Sequence, residues 1–148
     1  MADARVSVAV TSEPISAAAL LPLVRDDRAG AIATFEGAVR NHHAGKTVAF
    51  LEYEAYIPMA ESELGKIAER ARERWPIEAI AIHHRIGRLE IGEISVALAV
   101  SSAHRNEAFE ALRWAIDTLK ETVPIWKRET GPDGTFWIEG PEQVPAAD

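Results

Sequence analysis

Two long segments with the apolar period of an amphipathic helix, each ended by a proline, constrain the fold of this chain most strongly. Residues 58–75 place their apolar side chains on one helical face, and Pro76 ends the pattern. The second segment begins at Ser102, a predicted N-cap, runs to about Thr122 and is stopped by Pro124. Because each predicted helix has a single apolar face, each must pack against another layer.

Seven other segments have the alternation or residue content that is typical of strands. They span residues 5–10, 30–36, 47–56, 77–84, 94–101, 125–130 and 135–139. A short helix is predicted from about Ser16 to Val24, and Asp133-Gly134 between the last two strands predicts a hairpin. This mixture, without repeats, predicts one α+β domain over residues 1–139 with a mainly antiparallel sheet and a C-terminal β-hairpin. We expect residues 140–148 to form a disordered tail.

Charge and composition argue against several classes of protein. The 148 residues have a formal net charge of −7, which argues against binding to nucleic acids or anionic membranes. The longest apolar run, residues 17–24, is too short to span a membrane, and we see no secretory signal, so we expect a cytoplasmic protein. Cysteine is absent, which excludes disulfides, thiolate metal sites and cysteine nucleophiles.

The segment 101–105 is the first candidate site, because a predicted strand ends there and a helix begins with His104 and Arg105. Positive side chains oppose the helix dipole at that end, and on a helical wheel Arg105 falls within the apolar stripe, where a charge needs a partner. A bound anion at the helix N-terminus would satisfy both side chains. The alternative is that Arg105 pairs with a core carboxylate and that His104 is solvated.

Lys120 and Lys127 form the second candidate site, on either side of the proline break, and could line one cleft. In the strand pattern Lys127 projects with Glu129, whereas Trp126 and Arg128 take the opposite face. A lysine acts as a general base near neutrality only where desolvation or neighbouring cations lower its pKa. The second lysine and the arginine of the first site could have this effect. The alternative is that both lysines are ordinary solvated residues near a helix end.

Other cofactor sites are not indicated by the sequence. The five histidines lack the spacing of a zinc site, and the glycines form no nucleotide-binding loop, so neither a metal nor a nucleotide is expected. The four tryptophans are predicted to lie in the core or at an interface, although Trp126, beside the lysines, could contact a flat ring.

Four motifs resemble, in the same order, those of the large subunits of molybdopterin synthases, the MoaE family. They are TFEGAVRN at residues 34–41, HRIG at 84–87, SSAHR at 101–105 and PIWKRE at 124–129. The similarity extends from about residue 30 to residue 139, and the combination of the last two motifs is specific. The resemblance implies an α/β hammerhead fold with an added antiparallel sheet.

The resemblance also implies an activity and partners. Such a chain is a sulfurtransferase, without a cofactor of its own, that converts cyclic pyranopterin monophosphate to the dithiolene of molybdopterin. The sulfur arrives as a thiocarboxylate on the C-terminal Gly-Gly of a small ubiquitin-like, MoaD-like carrier subunit. Two large subunits form a homodimer, and a small subunit on each completes a heterotetramer. A chain without cysteine is compatible with this chemistry, since it cannot itself carry a persulfide.

The roles of the family's residues can be carried over to matching positions in this chain. The catalytic lysines of the family correspond to Lys120 and Lys127, and its substrate-binding residues correspond to Arg40, His104 and Arg105. These positions coincide with the two candidate sites found from the residues alone. We therefore expect the three substrate-binding residues to hold the pterin and its phosphate while the lysines assist proton transfers.

Three further positions are weaker candidates for contacts with the substrate or with the partner's C-terminal tail: Arg128, Phe35 and Trp126. For Arg128, pairing with Glu129 or Glu139 is an equally good interpretation. The family commonly has an arginine just beyond the last strand that reaches the neighbouring subunit's pocket, but no lysine or arginine follows Arg128 here. Two other functions stay open: a noncatalytic module that docks a ubiquitin-like protein, and a stand-alone pterin- or phosphate-binding protein.

Overall fold

The computed structural model describes residues 5–138, so the predicted tail at 140–148 lies outside the described residues. The elements are β1 (Arg5–Thr11), α1 (Ala17–Val24), β2 (Ala31–Ala38), β3 (His42–His43), β4 (Lys46–Thr47), β5 (Phe50–Ala55), α2 (Ile57–Arg74), β6 (Ile77–Arg85), β7 (Gly87–Glu90), β8 (Ile94–Ser102), α3 (Arg105–Thr122), β9 (Ile125–Gly131) and β10 (Gly134–Ile138). Over this range no helix is long and apolar enough to cross a membrane.

The strands form two four-stranded sheets and a short ribbon. The first sheet has the order β1-β6-β8-β2, the second has the order β10-β9-β5-β7, and β3 pairs with β4. Among the described strands, β1 and β6 are parallel and all the other pairs are antiparallel. The predicted α+β class with a mainly antiparallel sheet is confirmed. The C-terminal hairpin is also confirmed, with Pro132 and Asp133 as its loop residues.

Side chains of alternating size give the first sheet two different faces. Ala79 and Ala81 of β6, with the corresponding alanines of β8, pack against Leu20 and Val24 of α1. The opposite face presents larger residues such as Ile80, which pack against α2 and α3. Because side chains alternate along a strand, two chemically distinct rows arise from one short sequence. The large-residue face forms the main core and supports the end of α3.

Helix boundaries follow local signals at most, but not all, positions. The hydroxyl of Ser16 accepts a hydrogen bond from the backbone N–H of Ala19 at 3.1 Å, so the predicted start of α1 is confirmed. The N-cap predicted at Ser102 is wrong: Ser102 is the last residue of β8, and its hydroxyl donates to the carbonyl oxygen of His104. His104 is the N-cap residue of α3 and makes no side-chain capping bond.

The second sheet packs over a smaller core that carries the candidate site. Val39, Val48, Leu51, Tyr53 and Leu89 are buried together behind this sheet. The last of these lies in β7, a strand absent from the sequence-based prediction, which pairs with β5 along its edge. The second sheet therefore closes a space between its own inner face and the C-terminal end of α3.

Candidate active site

A cavity of about 150 Å³ lies where the end of α3, the inner face of the second sheet and the segment after β2 meet. Eight of its lining residues have polar side chains: Arg40, His42, His43, Tyr53, Ser95, Lys120, Lys127 and Glu129. Both lysines therefore line one cleft, as the sequence predicted, together with an arginine. The cavity brings three cationic side chains close together in a chain whose formal net charge is −7.

The break between α3 and β9 positions the two lysines. Lys120 lies in the last turn of α3, which ends where the N–H of Val123 donates to the carbonyl oxygen of Leu119 at 3.1 Å. Pro124 cannot continue the helix, and the chain turns directly into β9. Lys127 is the third residue of that strand. The two amines thus approach the same cavity from a helix end and from a sheet.

The inner face of β9 matches the predicted alternation. Lys127 and Glu129 line the cavity, whereas Trp126 and Arg128 between them do not. In the antiparallel register Lys127 lies directly opposite Tyr53 of β5, on the same face of the sheet. Tyr53 is a cavity residue that sequence reasoning missed, because the pairing that brings it there joins segments far apart in the chain.

Glu129 supplies the negative charge of the cavity. It is 8% exposed, and its carboxylate contacts Nδ1 of His43, a residue of the β3–β4 ribbon. The sequence predicted that Glu129 lies on the same strand face as Lys127 and offered it only as a possible partner of Arg128. It assigned no individual role to His43. The period of β9 was the available signal for Glu129, but no local signal in the sequence links it to His43.

A further histidine, His84, packs against the cavity residue Tyr53. His84 is 3% exposed, and its Nδ1 lies 2.8 Å from the carbonyl oxygen of Arg85. Its ring meets the Tyr53 ring edge-on, with 5.2 Å between centroids. Burial lowers the pKa of His84 to about 4, and the positive charge of Lys120 adds to this decrease, while the hydrogen bond with Arg85 opposes it. His84 is therefore neutral at physiological pH.

Comparison with known proteins relates this arrangement to one family. The family model described as MoaE protein matches residues 10–122. The chain belongs to the MoaE family. It is 47% identical over 130 residues to the molybdopterin synthase catalytic subunit of Halalkalibacterium halodurans, covering 88% of this chain and 83% of that protein. It is also 47% identical to the Homo sapiens protein of the same name, covering 86% of this chain and 68% of the relative.

Solved structures agree with the MoaE fold. The structure of molybdopterin synthase from Staphylococcus aureus superposes with a TM-score of 0.83 at 43% identity, covering 88% of this chain and 95% of that chain. The MoaE protein of Burkholderia ambifaria gives a TM-score of 0.81 at 35% identity, covering 94% of this chain and 92% of that chain. The predicted fold family is thus confirmed by similarity in both sequence and structure.

The first candidate site lies far from the cavity within this MoaE-family subunit. Arg105 begins α3 and Lys120 lies in its last turn, so they are separated by about 22 Å along the helix axis at 1.5 Å per residue. His104 and Arg105 are both exposed. The expectation that Arg105 is buried in the apolar stripe is wrong, because the first buried residue of the helix is Ala108. Arg105 also cannot influence the lysines of its own subunit at this distance.

The three weaker candidates do not line the cavity. Trp126 is 37% exposed on the far side of β9 from Lys127. Arg128 pairs with Glu52 of β5, and Glu129 contacts His43, so the suggested Arg128–Glu129 pair is wrong. Glu139, the other suggested partner of Arg128, lies outside the described residues. Phe35 is half-buried and packs against the main core. Of the eight residues assigned from the sequence, the cavity brings together Arg40 and the two lysines.

Metal ligands do not cluster in the described part of the chain. Among residues 5–138 no group of three or more histidine or carboxylate side chains could hold a metal ion. What the cavity offers instead is amines, a guanidinium, a phenol and a paired carboxylate. Such groups bind anions and transfer protons.

Proposed function

We propose that this chain is the catalytic subunit of a molybdopterin synthase that converts cyclic pyranopterin monophosphate to molybdopterin. Relatives of that name are 47% identical over most of the chain, which supports the assignment. The observation that carries the proposal is the meeting of Lys120, Lys127 and Arg40 in one cavity. We assign the two lysines as catalytic residues and Arg40 as a substrate-binding residue.

The charge of the cavity suits a phosphorylated substrate. A guanidinium binds phosphate through two parallel hydrogen bonds, and the neighbouring amines add positive charge. Because the rest of the chain is acidic, a positive cavity provides a local site for an anion without general affinity for polyanions. The phosphate of the pterin is the anion that we assign to it.

Sulfur must come from outside this chain. The 148 residues include no cysteine, so no persulfide can form on them. We assign the donor to a small ubiquitin-like subunit whose C-terminal glycine carries a thiocarboxylate. Its sulfur forms a C–S bond with a carbon of the pterin as a C–O bond at that carbon breaks and the oxygen leaves. Water then cleaves the acyl C–S bond of the resulting thioester, which leaves the sulfur on the pterin and releases the small subunit as its carboxylate. Lys120 and Lys127 assist the proton transfers of these steps from the two sides of the cavity.

His104 and Arg105 belong to the proposed site only if two copies of the chain contribute to it. A pterin monophosphate cannot extend over the approximately 22 Å that separate the two ends of α3. In a homodimer whose two-fold axis brings one α3 N-terminus to the other copy's cavity, both sets can contact one substrate. We propose this arrangement, with His104 and Arg105 binding substrate held by the second subunit.

The test is formation of dithiolene product from cyclic pyranopterin monophosphate and a thiocarboxylated small subunit. Intact chain is compared with Lys120→Ala and Lys127→Ala, and with Lys66→Ala as a control on the exposed surface of α2. We expect product from the intact chain and the control, and a loss of at least about 100-fold in each lysine variant, as for loss of an acid–base group.

Each result has a distinct meaning provided that the variants remain folded. Activity that persists in both lysine variants would remove the lysines from the mechanism while leaving the synthase function. Tight binding of the small subunit without any turnover by the intact chain would overturn the proposed function and favour a docking module. Full affinity for the pterin without turnover or a partner would favour a stand-alone binding protein.

A further inference from the structure

His84 is a buried polar residue for which the proposed reaction has no role so far. It lies in β6 on the same face as Ile80 and Ile82, which is the face covered by α2 and α3. The C-terminal end of α3, with Lys120, belongs to this layer. A histidine at such a position is costly to bury unless its ring nitrogens have partners.

One ring nitrogen of His84 is fixed by the backbone, and this determines the other. Nδ1 lies 2.8 Å from the carbonyl oxygen of Arg85, and a carbonyl oxygen can only accept a hydrogen bond. Nδ1 therefore carries the proton. Since a neutral imidazole has one N–H, Nε2 presents a lone pair and can only accept.

Two cavity residues interact with the imidazole. The ring of Tyr53 packs edge-on against it, and Tyr53 lies opposite Lys127 across the β5–β9 pair. Lys120 lines the same cavity as Tyr53, and its positive charge contributes to the lowered pKa of His84. His84 thus contacts the residue that lies opposite Lys127 and also experiences the charge of Lys120. Its unprotonated nitrogen can accept a hydrogen bond from an ammonium group.

We propose that His84 is a positioning residue, whose neutral Nε2 accepts from the Lys120 ammonium while its ring holds Tyr53 beside Lys127. The proposal rests on the proposed function, since it concerns the lysines to which catalysis is assigned. Its consequence is that His84 fixes the separation of the two amines without touching substrate. A histidine that only filled space would be replaceable by an apolar ring of the same size.

The contact itself can be tested without catalysis. In the full chain labelled with ¹⁵N-histidine, we expect Nδ1 of His84 to be protonated and Nε2 unprotonated at neutral pH. Substitution Lys120→Met should shift the Nε2 resonance, whereas Lys66→Met in α2 should leave it unchanged. A protonated Nε2, or an Nε2 resonance that does not respond to Lys120→Met, would overturn the proposal whether or not the chain turns over the pterin.

The role in catalysis is tested with two variants in the complete enzyme, assayed with its thiocarboxylated small subunit. His84→Phe keeps the ring and the Tyr53 contact but removes the acceptor, whereas His84→Gln places an amide oxygen near the position of Nε2. We expect kcat to fall about tenfold or more in His84→Phe, with KM for the pterin within about twofold, because orientation and not binding is lost.

Recovery of kcat in His84→Gln distinguishes a positioning role of His84 from a purely structural one. His84→Gln should recover most of the lost kcat, although it packs less well than His84→Phe. A folded His84→Phe enzyme with kcat within about twofold of the intact enzyme would overturn the proposal, as would a smaller kcat in the glutamine variant than in the phenylalanine variant. An intact chain that forms no product would instead be a failure of the proposed function, and the NMR result would still decide the His84–Lys120 contact.

Discussion

His83 and His84 are neighbours in β6 whose side chains enter different environments. His83 shares the alanine face covered by α1, and its Nε2 lies 3.1 Å from the hydroxyl of Ser7. His84 enters the opposite layer beside Tyr53 and the end of α3. Burial lowers the pKa of both imidazoles, more strongly for His84. Strand alternation alone therefore gives two adjacent identical residues separate chemical roles.

The low pKa of His84 predicts a stability that decreases in mild acid. Above the ordinary histidine pKa of about 6.5 the ring is neutral in both the folded and the unfolded chain. As the pH falls from there towards the folded pKa of about 4, the unfolded state binds a proton that the folded state does not. This one group should lower the free energy of unfolding by about 2 kcal/mol between about pH 7 and pH 5.

Urea unfolding at a series of pH values measures this effect, with His84→Gln as the reference because glutamine does not titrate. The free energy of unfolding should decrease less steeply with acid in the variant than in the intact chain, and the difference isolates His84 from the other titrating groups. Parallel profiles for the two proteins between about pH 7 and pH 5 would show that His84 titrates normally and would contradict the prediction.

At the scale of the elements, two glycine positions differ in whether there is room for a side chain. A Cβ added at Gly131, the last residue of β9, would lie 2.0 Å from the backbone carbonyl oxygen of Thr47 in β4. At Gly65, inside α2, an added Cβ meets nothing within 4 Å. The close approach at Gly131 allows the β3–β4 ribbon, with His43, to lie against β9. The glycine in α2 has no comparable structural requirement.

Alanine substitutions at these two positions form a matched pair. Gly131→Ala should destabilise the chain by about 1–3 kcal/mol or more, because the backbone of the ribbon must move. Gly65→Ala should stabilise it by about 0.5–1 kcal/mol, since alanine favours a helix interior over glycine. Thermal and urea unfolding of both variants provide the measurement, and an unchanged or raised stability of Gly131→Ala would disprove the close packing of ribbon and strand.

The sequence predicted elements wherever their signals are local. The amphipathic period identifies α2 and α3, and alternation identifies β1, β6, β8 and the C-terminal hairpin. The strand β7 was missed because its four residues make sense only through pairing with β5, far earlier in the chain. The cap assigned to Ser102 was wrong for a related reason. A serine before a helix is a local signal, whereas extension of β8 through Ser102 depends on pairing with β2 and β6.

At the scale of the whole molecule, the cavity likewise combines residues that local signals predict with residues that only long-range strand pairing brings together. Lys120 and Lys127 are seven positions apart, so a helix, a proline and a strand suffice to predict that they converge. Tyr53, His43 and Glu129 meet through the pairing of β5 with β9 and through the ribbon, which no short segment encodes. His104 and Arg105 lie at the N-terminus of α3, as the sequence predicted, but the sequence did not show their distance from the lysines. The length of α3 then excludes a shared site within one subunit.

This separation makes a prediction that concerns the assembly as a whole. If each proposed site combines Lys120 from one subunit with Arg105 from the other, Lys120→Ala and Arg105→Ala homodimers should both be impaired. When the two variants are unfolded and refolded together, random pairing makes half of the dimers mixed. In each mixed dimer one of the two sites receives both intact residues and the other receives neither, so recovery should approach about a quarter of wild-type activity.

Two controls show whether recovered activity comes from mixed dimers with one intact site. Mixing the two variants without refolding should give no recovery unless subunits exchange spontaneously, and a mixture of Lys120→Ala with Lys127→Ala should give none after refolding. In that pair both substituted residues line the same cavity, so every site in a mixed dimer retains a defect. Absence of recovery from the Lys120→Ala and Arg105→Ala pair, with mixed dimers confirmed by mass spectrometry, would place the two residues in independent sites. Arg105 would then act on a ligand other than the pterin held by the lysines.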